Sequence, residues 1–267
     1  MKRQSVDGFE MAYLEVGQGE PLVCIHGALC DFRVWSPVLG PLCRRFRVIT
    51  PSLRHCFPDR WDGRGDTFNI PRHVNDVVSF IAAIGAPVNL LGHSRGGHIA
   101  LRAAQARPDL VGRLILAEPG GELDADLTPP GEPPALRRSA LAVAAGMITD
   151  GNVEGGLELF VDAVDGVGAW RNHTEASRQT FRDNAFTLVG QVNDQRKPYC
   201  LADAKGIRAP TLFLGGEQTG GSLKTVLRAL ATHVPNAKVE IIPGAKHLMF
   251  VHDPARFCKA IIDFASS

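Results

Sequence analysis

Six short apolar runs, each closed by a turn-forming residue, set the strongest limit on how this chain can fold. They are PLVCIHG (21–27), FRVITP (46–51), VNLLGHS (88–94), RLILAEP (113–119), APTLFLGG (209–216) and AKVEIIPG (237–244). Runs that stay apolar rather than alternating with polar residues suit strands buried on both faces, as in a parallel sheet covered by helices. Helical patterns lie between them. Residues 72–84 place Val74, Val77, Val78 and Ile81 on one face, residues 96–107 are rich in alanine and stop before Pro108, and residues 254–265 open with a proline suited to a first helical turn. This alternation predicts an α/β class with a doubly wound sheet.

The rhythm breaks between residues 120 and 204. That stretch opens with GGELDADLTPPGEPP, a turn-rich linker, and continues with helical patterns over 135–147, 153–164 and 177–189 but no good strand. We read it as a helical insertion between two strands, leaving a core of residues 1–119 and 205–267. A chain of 267 residues, 45% hydrophobic and 21% charged, is long enough for one such domain with a sizeable buried core.

Composition removes several function classes. The formal net charge is +1 and no basic stripe is present, so nucleic acid is not an expected partner. MKRQSVDGFEMAYLEVG has two early positive charges without a following apolar run, unlike a signal peptide. No apolar stretch has the length of a membrane span. The six cysteines are scattered without a CxxC pair, and Cys24 and Cys258 read as small buried hydrophobes of a reducing compartment. A cytoplasmic protein is the expectation. There is no metal-ligand spacing and no dinucleotide fingerprint, so no cofactor is expected.

The chemistry concentrates in GHSRG, residues 92–96, between the apolar VNLL and the alanine-rich helix. In that context G-x-S-x-G forms a tight strand-to-helix turn that lifts the serine above the sheet, with glycines where the backbone is crowded. Ser94 is therefore the candidate nucleophile, against the plainer reading of a helix-capping serine. A serine needs a general base. The candidate is His247, in IIPGAKHLMFVHDP after the last strand. His252 is expected at the surface, His93 in packing, and His26 in holding its own HG turn together. An oxyanion would need two N–H donors, for which the backbone amides of Arg95 and Ala28 are the candidates, Gly27 permitting close approach.

HGALCDFRVW, SLRH in place of a more usual D-x-R-G, GHSRGG and PGAKHLMFVHDP together resemble the α/β-hydrolase superfamily, over most of the chain. The resemblance implies a mostly parallel eight-stranded sheet, with residues 120–204 as a cap. It implies a triad acid after the seventh strand, in a G-x-x-D pattern. Here that reads Gly216-Glu217-Gln218-Thr219, and threonine cannot ionise to support an imidazolium. Two substitutes are open. Glu118 ends RLILAEP, the strand position used in certain haloalkane dehalogenases of this superfamily, and is favoured. Glu217 would have to be brought round by its glycines.

The resemblance implies hydrolysis of a small-molecule carboxylic ester or lactone through an acyl-enzyme. Carbon–carbon bond hydrolysis or haloperoxidase-like chemistry with the same residues is an alternative, and so is a small-molecule receptor with little turnover. A serine in place of aspartate, and only two tyrosines (Tyr13 and Tyr199), argue against dehalogenase and epoxide hydrolase routes. A homodimer is compatible with the sequence, which fixes no oligomeric state. Arg95 is expected to point into packing, with an acidic substrate group as the lesser reading. Arg54 and His55 are expected to stabilise their turn, and WDGRGDTF (61–68) to be a surface loop. Trp35, Met147, Phe160, Trp170, Phe181 and Phe186 are candidates to line an acyl pocket.

Overall fold

The computed structural model describes residues 1–65, 68–129, 137–194 and 196–266. Asp66 and Thr67, the expected helix start at Ala135, and the linker from Pro130 onward lie outside the described residues. Eight strands form one sheet: β1 (Lys2–Val6), β2 (Phe9–Val16), β3 (Glu20–Ile25), β4 (Phe46–Pro51), β5 (Val88–His93), β6 (Val111–Ala117), β7 (Thr211–Gly216) and β8 (Ala237–Ile242), in the order β1-β2-β4-β3-β5-β6-β7-β8. β1 and β2 pair antiparallel, as do β2 and β4, and every other pair is parallel. The first pair is a hairpin whose turn residues Asp7 and Gly8 both have positive φ (45° and 73°), the geometry that an Asp-Gly turn favours.

Between the strands run α1 (Ser36–Leu42), α2 (Ile70–Ile84) and α3 (Arg95–Ala106). From β6 to β7 come α4 (Arg137–Thr149), α5 (Val153–Asp165), α6 (Ala169–Asn172), α7 (Glu175–Asp183), α8 (Thr187–Val192) and α9 (Leu201–Lys205). The chain ends with α10 (Gly221–His233), α11 (Met249–His252) and α12 (Pro254–Ala265). β5 and β7 are buried at every residue, which explains why they read as continuous apolar runs. Alternate strand residues feed two cores. Val23, Ile25, Leu90, Leu114, Leu116 and Phe213 pack in the core that includes α2, α3 and α10 residues. Leu22, Cys24, Leu91, Ile115, Leu212 and Leu214 pack in the core of α1 and α12, which continues into the β6–β7 helices. On α2 the stripe Ile70, Val74, Val77, Phe80 and Ile81 is buried, each side chain contributing roughly 1.5–3 kcal/mol.

The expected single helix over 177–189 is two helices, α7 and α8. Asn184 separates them, and its side chain has tertiary work. Its Nδ2 donates to Asp31 Oδ2 (2.7 Å) and its Oδ1 accepts from the Phe57 N–H (2.8 Å). A buried amide committed outward in this way favours a break that periodicity does not show. WDGRGDTF is likewise more than a surface loop, because Trp61 stacks on His55 (4.3 Å) and Phe68 (5.5 Å). Arg54 ties its turn to α2 through a bidentate pair with Asp76 (2.9 and 2.8 Å). Among the described residues no helix is long and apolar enough to cross a membrane.

The sequence order of the strands reverses around β3, whose neighbours are β4 and β5. In open α/β sheets, ligands bind beyond the C-terminal strand ends at such a point.

Candidate active site

Ser94 sits between β5 and α3 with φ 53° and ψ −118°, a conformation costing about 1–3 kcal/mol for a non-glycine residue. The glycines of GHSRG explain how the turn closes. A Cβ on Gly92 would lie 2.3 Å from the Gly96 carbonyl oxygen, and one on Gly96 would lie 2.2 Å from that of Ile25. The Ser94 N–H stays in the sheet, donating to the Ala117 carbonyl (3.0 Å), and the Ser94 carbonyl accepts from Gly97, His98 and Gly120. Its side chain makes no capping bond to α3 among the described residues, unlike a structural N-cap serine.

The turn after β3 lies against this serine. A Cβ on Gly27 would come within 3.1 Å of Ser94 Cβ and 3.0 Å of His93 Nδ1. Leu29, two residues on, also has positive φ (60°). Arg95 is the first residue of α3, so its N–H has no intrahelical acceptor. Ala28 and Arg95 border the same cavity as Ser94. His26 holds the turn from beneath: its Nδ1–H donates to the Gly27 carbonyl (2.9 Å) and its Nε2 accepts from the Leu53 N–H (3.0 Å). Burial lowers its pKa and keeps it neutral.

His247 is buried and its Nδ1–H donates to Glu118 Oε2 at 2.6 Å. Glu118 follows β6, is 1% exposed and has φ 42°. Its backbone N–H donates to the Leu214 carbonyl (3.0 Å), and its Oε1 accepts from the Gly216 N–H (2.7 Å). Glu217 is exposed and accepts from the Gly244 N–H (2.9 Å). Thr219, at the position where a carboxylate was expected, is buried, and its Oγ1 has no hydrogen-bond partner among the described residues. The structure thus brings Glu118, and not Glu217, to His247.

His93 takes a more specific place than packing. Its Nε2–H donates to the His247 carbonyl (3.0 Å), and the two rings lie 4.4 Å apart. Burial, then the neighbouring His247, pushes its pKa well down, so it is a neutral donor. His252 is exposed, and its Nδ1 accepts from the Lys246 N–H (2.9 Å), bracing the same loop.

Arg95 turns its side chain into the protein, 2% exposed, in an ion pair with Asp194. Its guanidinium stands 4.6 Å over the Phe68 ring, and its Nη2 donates to His73 Nδ1 (3.3 Å). Burial and then Arg196 push the Arg95 pKa down to about 9, which Asp194 opposes.

One cavity of about 380 Å³ is bordered by Ser94, His247, Ala28 and Arg95, within the range of small-molecule sites. Apolar residues of α4, α5 and α7 wall one part, among them Leu141, Phe160, Val161 and Phe181. Gln191, Asp194, Arg196 and Glu122 form another. Of the expected lining residues Phe160 and Phe181 are present, whereas Trp35, Met147, Trp170 and Phe186 do not border it. Trp35 is fully buried against Phe250, ring centroids 4.8 Å apart. Among the described residues no three His, Cys, Asp or Glu side chains gather as a metal site.

The model of the alpha/beta hydrolase family matches residues 22–260. The chain belongs to the alpha/beta hydrolase family. A similar curated relative is an uncharacterised protein of Mycobacterium tuberculosis, 27% identical over 98% of this chain and 80% of its own. Among solved structures, an esterase from a Rhodococcus species is 24% identical, covers 100% of this chain and 98% of its own, and has a TM-score of 0.81. An enol-lactonase from Burkholderia xenovorans also has a TM-score of 0.81, at 17% identity and with 99% and 100% coverage. At such identities the likeness to these two structures is one of fold.

Two features of this family member were not visible in the sequence: the Arg95–Asp194 pair, 99 residues apart, and the reach of His93 to a carbonyl 154 residues away. Only the side-by-side charge of Arg95 and the helix start hinted at the first, since a cation there is unfavourable without a partner.

Proposed function

We propose that this chain is a cofactor-free serine hydrolase of carboxylic esters or lactones. Ser94 Oγ attacks the carbonyl carbon and His247 takes its proton. The Glu118 carboxylate orients the ring through Nδ1–H and stabilises the imidazolium. The N–H groups of Ala28 and Arg95 receive the oxyanion. His247 then protonates the leaving alkoxide, and the same histidine activates a water that releases the acid from Ser94. Residues 120–204 act as a cap that shapes the acyl pocket over the core of residues 1–119 and 205–267.

The observation that carries this reading is the bond between His247 Nδ1 and buried Glu118, on a histidine that borders one cavity with the strained Ser94. Esterase and enol-lactonase neighbours agree with the ester and lactone class without choosing within it. An epoxide hydrolase reading is poorly supported: Tyr199 is fully buried with its hydroxyl donating to Gly120, and Tyr13 lies in the core.

A fluorophosphonate probe tests the proposal. It should label the protein at Ser94, and Ser94→Ala should lose both labelling and hydrolysis of short p-nitrophenyl esters. A wild-type protein that neither labels nor turns over would leave the receptor reading in its place.

A further inference from the structure

The polar wall of the cavity holds two buried donors without acceptors among the described residues. Both Asp194 oxygens are engaged: Oδ1 accepts from the Ile70 N–H (3.0 Å), and Oδ2 faces both Arg95 Nη1 and Arg196 Nε, the latter at 3.6 Å. Arg196 Nη2 donates to Gln191 Oε1 (2.8 Å), which fixes the orientation of that amide. Gln191 is 4% exposed, and its Nε2 has no partner among the described residues; the same holds for Arg95 Nε. A buried donor without an acceptor is costly, and its cost falls when an acceptor arrives. Glu122 borders the same cavity and its charge favours the Arg196 cation. Two guanidiniums therefore face two carboxylates, so the case rests on unfilled donors and not on surplus charge. Asp165 borders the cavity from the end of α5, and its buried Oδ1 has no hydrogen-bond partner among the described residues, so this part of the lining lacks a donor while Gln191 and Arg95 lack acceptors.

We propose that Gln191 and Arg196, backed by Arg95, receive a carboxylate borne by the substrate away from its scissile carbonyl. The substrate class is then a half-ester of a dicarboxylic acid, or a lactone bearing a carboxylate. A carboxylate only accepts, which suits the unpartnered donors of Gln191 and Arg95, and guanidinium binds it with planar complementarity. Ser94, Gln191 and Arg196 border one cavity of about 380 Å³, a volume that a single small ligand can span. The proposal rests on the ester-hydrolase reading above.

The test compares three acyl chains of similar length: mono-p-nitrophenyl glutarate, p-nitrophenyl pentanoate and the p-nitrophenyl ester of glutaramic acid. The glutarate should lead the pentanoate by tenfold or more in kcat/KM. Arg196→Met should bring that ratio close to one, chiefly through KM, and Gln191→Leu should lower it about threefold or more. Arg196→Met leaves Asp194 its Arg95 and Ile70 partners, so the fold should be kept; a melting curve checks each variant. A ratio below one, a ratio that neither variant changes, or a glutaramate as good as the glutarate would overturn the proposal. If no ester is turned over and no probe labels Ser94, the hydrolase reading fails separately. Calorimetry of monoethyl glutarate against ethyl pentanoate on Ser94→Ala then still decides the subsite. Tighter binding of the glutarate that Arg196→Met loses supports it, and equal binding overturns it.

Discussion

The ends of β6 and β7 each carry a glutamate, and the two have opposite surroundings. Glu118 is buried, held at a positive φ, and bonded to both His247 and the Gly216 N–H. Glu217 is exposed and braces the turn after β8 through Gly244. The strand end where the resemblance places a triad acid instead contributes a backbone amide that holds the carboxylate of its neighbour. Gly216 also lets the loop before His247 come close, since a Cβ there would lie 2.5 Å from the Ala245 carbonyl oxygen. A site of this kind can keep its geometry while changing which strand carries the charge, provided the two strand ends stay paired.

The largest expected effect tests that contrast directly. Glu118→Gln should lower kcat by roughly 10³-fold or more with little change in KM, because the amide can leave His247 in the wrong tautomer and without a counter-charge. A loss below tenfold in steady-state ester hydrolysis would remove Glu118 from its proposed role. The next effect sharpens the comparison. In the Glu118→Gln background, Thr219→Asp should recover about tenfold or more of the lost kcat, since Thr219 is a buried position with a spare polar atom. No recovery, in a variant that melts normally, would show that the β7 turn cannot present a carboxylate to His247. The smallest effect is at Glu217. Glu217→Ala should leave kcat within about twofold and cost ~0.5–1.5 kcal/mol in a denaturant titration, the worth of its bond to Gly244. A large loss of kcat there would reverse the comparison.

The contrast also shows where sequence and structure part company. The six apolar runs mark β3 to β8 because strands covered on both faces must be apolar along their length, and Pro254 marks the start of α12 because the preference is local. β1 and β2, at the open margin of the sheet, lack that signature. The break at Asn184 depends on partners at Asp31 and Phe57 that are over 100 positions away, so no window on the sequence could contain it. Arg95 and Asp194 meet for the same reason. The pocket wall follows this rule as well: Phe160 and Trp170 are both large apolar residues of the helical excursion, and only packing decides that one borders the cavity and the other fills the core. For the acid, the resemblance to the α/β-hydrolase superfamily narrowed the choice to two glutamates, and the side-chain direction of Glu118, itself at a positive φ, separates them.

The backbone amides of Ser94 and Glu118 have a further consequence. Each donates to the adjacent strand one residue past the end of its own, to Ala117 and Leu214 respectively. The side chains of Ser94 and Glu118 are therefore indexed to the registers β5/β6 and β6/β7. A slip of one residue between two strands inverts which side chains face each core; here it would also carry Glu118 away from Gly216 and His247 in the same movement. Strand alignment and the geometry of the Glu118–His247 pair are therefore set by the same backbone bonds, so a misregistered chain would lose that pair together with its packing.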